Sequence, residues 1–293
     1  MKLSVITDEI SQDFDHSLDV MQEYGVRGAE LRGLWNTNIA DLTDEQAERA
    51  KAALHSHGME VVALSTPFYK CDLYGAQDTG GSGPLHLATP RPLNDQLKVL
   101  ERCIELARFF GTTNIRVFSF WRKMPITDEI YTTLQETFLQ PVKLATETGM
   151  TLLLENEHAC LMGSGAEAAR LAALIDSPSF RICWDPGNAF ALGETAFPDG
   201  YEAVKPWFSH VHVKDAVRVT TPQRGEHAVF CEMGTGQIGY SAQFAALKRD
   251  NYKGWISLET HYSPANGSGP DGKGTPEDSS RACLTYLNRV LAE

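Results

Sequence analysis

The chain has 293 residues, enough for one large α/β domain, and its 42% hydrophobic and 22% charged residues exclude a disordered protein. Thirty-eight acidic side chains against 26 basic ones give a formal net charge of −12. No basic stretch offsets that charge, which argues against nucleic acid held through its phosphates. The start, MKLSVITDEIS, has no apolar export-type segment, and no run approaches the roughly 20 apolar residues of a spanning helix. A cytoplasmic protein with no membrane contact is therefore expected. The six cysteines are scattered without paired spacing and read as reduced thiols, mostly packing.

Eight short runs rich in β-branched residues follow one another along the chain. They lie at about Leu3–Ile6, Gly28–Arg32, Val61–Ser65, Ile115–Phe120, Thr151–Glu155, Arg181–Asp185, His210–Lys214 and Trp255–Glu259. Most are continuous apolar runs, as in parallel strands covered by helices. Helical segments separate them. Thr43 and Gln46 form a capping box at the start of one, Thr127 opens another, and Gly25, Gly58, Gly111 and Gly149 each follow a helical run. Strand-helix alternation carried eight times predicts an α/β fold: a (β/α)8 TIM barrel, one domain over residues 1–293. Two long glycine-rich loops, from about Thr66 to Pro92 and from His261 to Pro276, follow strands and read as lids or interface elements.

Four of the later strands end in a metal-ligand residue: Glu155, Asp185, His212 and Glu259. In such a barrel the C-terminal strand ends meet on one rim, where the chemistry is done. Side chains alternate faces along a strand, so His210, His212 and Lys214 all point inward, with His210 one layer deeper. His212 is the metal candidate and His210 a structural or supporting residue. Three carboxylates and one imidazole suit one divalent ion, with Mn²⁺ as the first choice and Zn²⁺, Co²⁺ or Mg²⁺ as alternatives. A closed structural zinc site would use cysteines instead.

The motifs LLLENEH, WDPGNAF, HVHVKD and SLETH, with DEIS and ELR near the start, resemble those of the xylose isomerase-like TIM-barrel superfamily, in particular its sugar phosphate isomerase/epimerase members. The resemblance spans essentially the whole chain. It implies that Glu155, Asp185, His212 and Glu259 hold one divalent ion and that Glu155 and Glu259 serve as acid and base. It also implies that Arg218, six residues beyond the histidine, contacts substrate, as in ketose epimerases. Two positions depart from those epimerases: Asn188 stands where they have a histidine, and Leu161 where they have a further glutamate. Homodimers or homotetramers are common in proteins of this kind.

The expected reaction is proton transfer through a metal-stabilised enediolate, on a sugar, sugar phosphate or related polyol. That makes the chain an isomerase or epimerase. The alternative is a dehydratase of an inosose-type or keto-sugar substrate, which shares the first step. Lys214 and Asp215 are candidates for protonating a leaving group, against a plain ion pair between them. An apurinic-site endonuclease, which shares this barrel, would need further histidines and a surface that tolerates DNA. Substrate-binding candidates on the rim are Glu30, His158, Asn188, Lys214 and Arg218. Arg32 is expected to bind substrate or pair with Glu30, Trp121 to form a wall or pack beneath a loop, and His261 to support Glu259. Gly234–Gly239 matches GxGxxG but lacks the strand-to-helix context of a dinucleotide site, and reads as a turn or, less readily, a phosphate loop.

Overall fold

Eight parallel strands pair in sequence order and close into a barrel. A computed structural model of the chain describes residues 1–74, 83–262 and 274–292. The strands are β1 (Lys2–Ile6), β2 (Gly28–Leu31), β3 (Glu60–Ser65), β4 (Asn114–Val117), β5 (Thr151–Glu155), β6 (Phe180–Trp184), β7 (Phe208–Val213) and β8 (Trp255–Leu258). β1 pairs on one side with β2 and on the other with β8, where Leu3 is in register with Ile256. Gly28 makes one close approach possible: a Cβ there would lie 2.8 Å from that of Ser4 and 2.5 Å from the Trp255 ring.

Helices α1 (Phe14–Glu23), α2 (Asp44–Ser56), α3 (Gln96–Phe110), α4 (Asp128–Thr148), α5 (Gly165–Ile175), α6 (Pro186–Leu192), α7 (Tyr201–Val204), α8 (Tyr240–Arg249) and α9 (Pro276–Ala292) follow in chain order. Their boundaries come from local chemistry. At α2, Thr43 accepts from the Gln46 amide while the Gln46 side chain accepts from the Thr43 amide, satisfying two donors that the helix leaves open. Thr127 caps α4, and Gly149 ends it with φ 72°, a conformation that favours glycine. Among the described residues no helix is long and apolar enough to cross a membrane.

Outward-facing residues such as Leu152, Leu154, Ile182, Val211 and Val213 are fully buried between strands and helices. Each such aliphatic contributes about 1.5–3 kcal/mol. Inside the barrel, Leu153 and Cys183 belong to a small separate apolar cluster. On the side of β1, β2, β7 and β8 the interior is polar instead. Ser4 and Ser257 hydroxyls share a hydrogen bond of 2.6 Å, Ser257 meets His210 at 3.1 Å, and His210 meets Glu30 at 2.8 Å. That ordered chain fills the layer directly beneath the rim.

One expected boundary changes. The fourth strand stops at Val117, because Phe120 adopts φ 68° and Phe118 and Phe120 pair instead with the carbonyls of Phe68 and Tyr69. After β7 the chain forms an antiparallel hairpin, Asp215–Thr221 with Gly225–Cys231. The Gly234–Gly239 motif forms a turn, as read from the sequence, and its Gly234 and Gly236 amides donate to Asp215 Oδ2 at 2.9 and 3.0 Å. Asp215 is thereby turned away from Lys214 and forms no ion pair with it. The parts of both long loops at 75–82 and 263–273, read as lids, lie outside the described residues.

Candidate metal centre

Glu155 ends β5, Asp185 and Glu259 directly follow β6 and β8, and His212 is the penultimate residue of β7. One ligand atom from each lies within 4.8 Å of the other three, and all four residues are buried. Four strands thus deliver three carboxylates and one imidazole to a single point.

The imidazole is aimed from behind. Glu30 Oε1 lies 2.9 Å from His212 Nε2, while Nδ1 is buried without a hydrogen-bond partner and faces Glu155 and Glu259 at 3.6 and 3.9 Å. A carboxylate that fixes one ring nitrogen and presents the other is the usual support of a metal-bound histidine. Glu30 is itself held by His210 and by the Ser65 hydroxyl, and its carboxyl stays well below the ordinary range. Burial alone would raise it; the two histidines outweigh that.

A cation already occupies the gap. The Lys214 ammonium lies 2.8 Å from Asp185 Oδ2 and 2.5 Å from Glu259 Oε2, fully buried between them. Gly187, in the first turn of α6, makes room for its stem, since a Cβ there would fall 2.6 Å from Lys214 Cγ. Asp185 divides its work: Oδ1 caps α6 through the Asn188 amide at 2.9 Å and Oδ2 faces Lys214. Burial pushes the Asp185 carboxyl up to about 6, with Lys214 pulling only part of the way back. Glu259 goes the other way: burial would raise it, but Lys214, His261 and Arg32 together hold it well below the carboxylate range.

The donor set fits a divalent cation. It is acidic, it converges, and its one imidazole nitrogen has no competing partner. A second acidic group, Glu9, Glu259 and His261, stands beside it. Arg32 bridges that group, with NH2 on Glu9, NH1 on Glu259 at 2.8 Å and Nε on Asp8 at 3.0 Å. A guanidinium does not lose its proton in a protein, whereas a lysine ammonium can move or deprotonate.

Around the quartet, Asn188 donates to Glu155 Oε1 at 3.0 Å, and its carbonyl meets His158 Nδ1 at 2.9 Å. Asn188 thus steadies Glu155, and His158, 40% exposed, reaches the mouth. Two of the expected substrate-contact residues are engaged by other protein groups. Glu30 lies beneath His212 with both oxygens hydrogen-bonded to histidines and Ser65. Arg218 sits on the hairpin, donates to the Phe190 carbonyl at 2.7 Å and stacks over the Phe190 ring, lining a separate cleft with Thr195 and Gln237. Arg32 pairs with Asp8, Glu9 and Glu259 and not with Glu30. Trp121 packs against Phe118, Ala159 and Cys160, and Arg122 pairs with Glu167. Arg116 was not anticipated: it rises from β4 to within 3.3 Å of Glu155 Oε2. A charged residue between the apolar Ile115 and Val117 of β4 was the available signal.

A parallel eightfold barrel with an acid-rich candidate cation site at its C-terminal rim defines the class. The chain belongs to the xylose isomerase-like TIM barrel family, whose model matches residues 18–286. It is 25% identical over 159 residues to an inosose dehydratase of Bacillus cereus, covering 50% of this chain and 52% of that one. It is 26% identical over 168 residues to a putative L-ribulose-5-phosphate 3-epimerase of Haemophilus influenzae, covering 55% and 56%. The chain thus spans about half the length of the curated relatives it matches. Among solved structures, the probable 3-DHS dehydratase of Bacillus anthracis superposes with TM-score 0.73 at 18% identity, over 98% of both chains. A xylose isomerase-like barrel protein of Mycobacterium smegmatis in complex with magnesium gives 0.68 at 16%, over 95% of this chain and 88% of that one. These structural likenesses are of fold.

Proposed function

We propose that the protein is a divalent-metal-dependent isomerase or epimerase of a hydroxyketone sugar or polyol, acting by proton transfer at the carbon next to a carbonyl. The observation that carries this reading is the four-ligand convergence with His212 Nδ1 left open. A divalent ion held there would polarise the substrate carbonyl and stabilise the negative charge that grows when the neighbouring proton is removed. Glu155 and Glu259 converge on the same point from separate strands, which suits one to take a proton and the other to return one. Arg116 holds the Glu155 carboxyl, and Lys214 with His261 and Arg32 holds that of Glu259, below the ordinary carboxylate range. His158 lies at the mouth, where its ring can hydrogen-bond a substrate hydroxyl. Lys214 shares Asp185 and Glu259 with the expected ion, so in the loaded protein its ammonium is freed toward substrate oxygen.

Lys214 also favours a second reading, loss of water, because an ammonium beside the acid/base pair can protonate a departing hydroxyl. The curated inosose dehydratase relatives support the same alternative. The test is incubation with Mn²⁺ in deuterated water with ketoses and inosose-type compounds. Deuterium entry at the carbon next to the carbonyl, with no loss of water, is expected; enone formation selects the dehydratase. Absence of exchange and of elimination across the panel, in protein shown to bind the ion, would refute both.

A further inference from the structure

Each carboxylate of the metal centre gives one oxygen to the protein and turns the other toward the point where the ligands converge. Asp185 Oδ1 accepts from the Asn188 amide at 2.9 Å, while Oδ2 is the oxygen that Lys214 meets. Glu155 Oε2 lies 3.3 Å from Arg116 NH1, while Oε1 faces His212 Nδ1 at 3.6 Å. Glu259 Oε1 accepts from Arg32 NH1 at 2.8 Å, while Oε2 faces Lys214 at 2.5 Å and His212 Nδ1 at 3.9 Å. The strands deliver the acids, but one helix amide and two arginines decide which oxygen of each is presented.

Both arginines are locked in place, each only 3% exposed. Arg32 Nε donates to both oxygens of Asp8 at 3.0 and 3.1 Å, and NH2 donates to Glu9 at 2.5 Å. Arg116 Nε donates to the Ser65 hydroxyl at 3.3 Å, and its guanidinium lies 4.1 Å from the Phe118 ring centre. Ser65 in turn donates to Glu30 Oε1, the oxygen that meets His212 Nε2. The group that restrains Glu155 and the group that aims His212 are thus links of one hydrogen-bonded chain. A guanidinium keeps its proton, and its planar fork fixes the direction of the oxygen it holds.

This restraint bears on the number of donors. A carboxylate can give a cation one oxygen or both. An unrestrained glutamate can swing its second oxygen onto the ion; one whose second oxygen faces a buried guanidinium does so only by leaving that cation without its acceptor. With one oxygen from each acid and the open nitrogen of His212, the protein supplies four donors. An octahedral ion such as Mn²⁺ takes about six.

We propose that Arg116 and Arg32 are positioning residues that restrict Glu155 and Glu259 to one oxygen each on the ion, and so keep two of its places open to oxygens from outside the protein. The inference rests on the divalent-ion reading above and deepens it, because a hydroxyketone that chelates through neighbouring oxygens needs both places.

The test counts water on the ion. Pulsed electron paramagnetic resonance of the Mn²⁺-loaded full chain in ¹⁷O-enriched water should find two inner-sphere waters in the wild type. In Arg116→Met the released Glu155 Oε2 should take one place, so the count falls to one while Mn²⁺ affinity, read by chelator competition, holds or rises. Arg116→Lys, which returns a cation to that oxygen, should restore the second water. Near-ultraviolet circular dichroism confirms that both variants are folded, and the wild-type count needs no variant. An arginine that only supported the fold would weaken affinity and leave the count unchanged. Fewer than two waters in the wild type, an unchanged count in Arg116→Met, or a loss that Arg116→Lys does not reverse would overturn the assignment. Saturating hydroxyacetone reads the substrate class separately and should displace both waters from the wild type. If it displaces neither, the hydroxyketone reading falls and the clamp stands; displacement with a count indifferent to Arg116→Met does the reverse.

Discussion

Replacing Lys214 by methionine keeps most of the stem and removes the ammonium that separates Asp185 from Glu259. In metal-free protein this leaves two buried carboxylates facing each other, at 2.8 and 2.5 Å from where the charge had been. Breaking a buried pair by removing one partner costs about 3–5 kcal/mol. Asp185 limits the loss, because its carboxyl is already raised to about 6. Holding a proton there at pH 7.5 costs about 2 kcal/mol. Lys214→Met should therefore destabilise the metal-free fold by about 2–4 kcal/mol, a fall in melting temperature of about 5–10 °C in a chain of this size. Saturating Mn²⁺ should close most of that gap, since the ion supplies the missing positive charge to the same oxygens. Scanning calorimetry of wild type and variant, each in chelator and in Mn²⁺, measures it. A variant as stable as wild type in chelator, or one equally destabilised with and without the ion, would refute the claim that lysine and ion compete for one place.

Four further outcomes follow from the same geometry. Glu30→Gln disturbs the carboxylate that aims His212 and should weaken Mn²⁺ affinity about 10- to 100-fold with the fold retained, read by chelator competition. Glu155→Gln and Glu259→Gln should each lower turnover by about 10²–10⁴ at saturating metal, in the deuterium-exchange assay. The raised Asp185 carboxyl binds its proton more tightly folded than unfolded, so this group favours the metal-free fold in acid and that contribution is lost as pH rises through about 6. The ion requires the carboxylate, so Mn²⁺ affinity should fall at least about tenfold per pH unit below 6; a flat affinity between pH 5 and 6 would contradict it. Far from the site, Thr43→Ala removes the cap of α2 and should cost about 1 kcal/mol in urea unfolding without changing metal affinity.

The barrel was legible because its signals are local. Continuous apolar runs mark strands covered on both sides, and Thr43, Thr127, Gly111 and Gly149 mark helix ends through hydrogen bonds and φ angles confined to a few residues. Parity along a strand likewise placed His212 above His210 and both inside, since side-chain direction follows from the period of two. The quartet was readable as four strand ends that any eightfold parallel barrel must gather on one rim.

What followed the ligands was not readable, because it depends on which side chains from distant strands meet. Glu30 had inward parity and a place near the rim, the same as a substrate-binding residue; only packing showed it lying under His212 and consuming both oxygens there. Arg218 kept its offset from His212, but the hairpin carries it outward to Phe190. Asp215 stood next to Lys214 in sequence, and the Gly234 and Gly236 amides, 19 and 21 residues later, drew its carboxylate away. The sequence determined the barrel and the identity of the residues at its mouth, through periodicity and local capping. Tertiary structure decided which charge faces which: Lys214 between Asp185 and Glu259, Arg32 bridging three acids, Arg116 against Glu155. Electrostatic pairing in a desolvated site is a property of three-dimensional distance, and distance across a barrel leaves no trace in spacing along the chain.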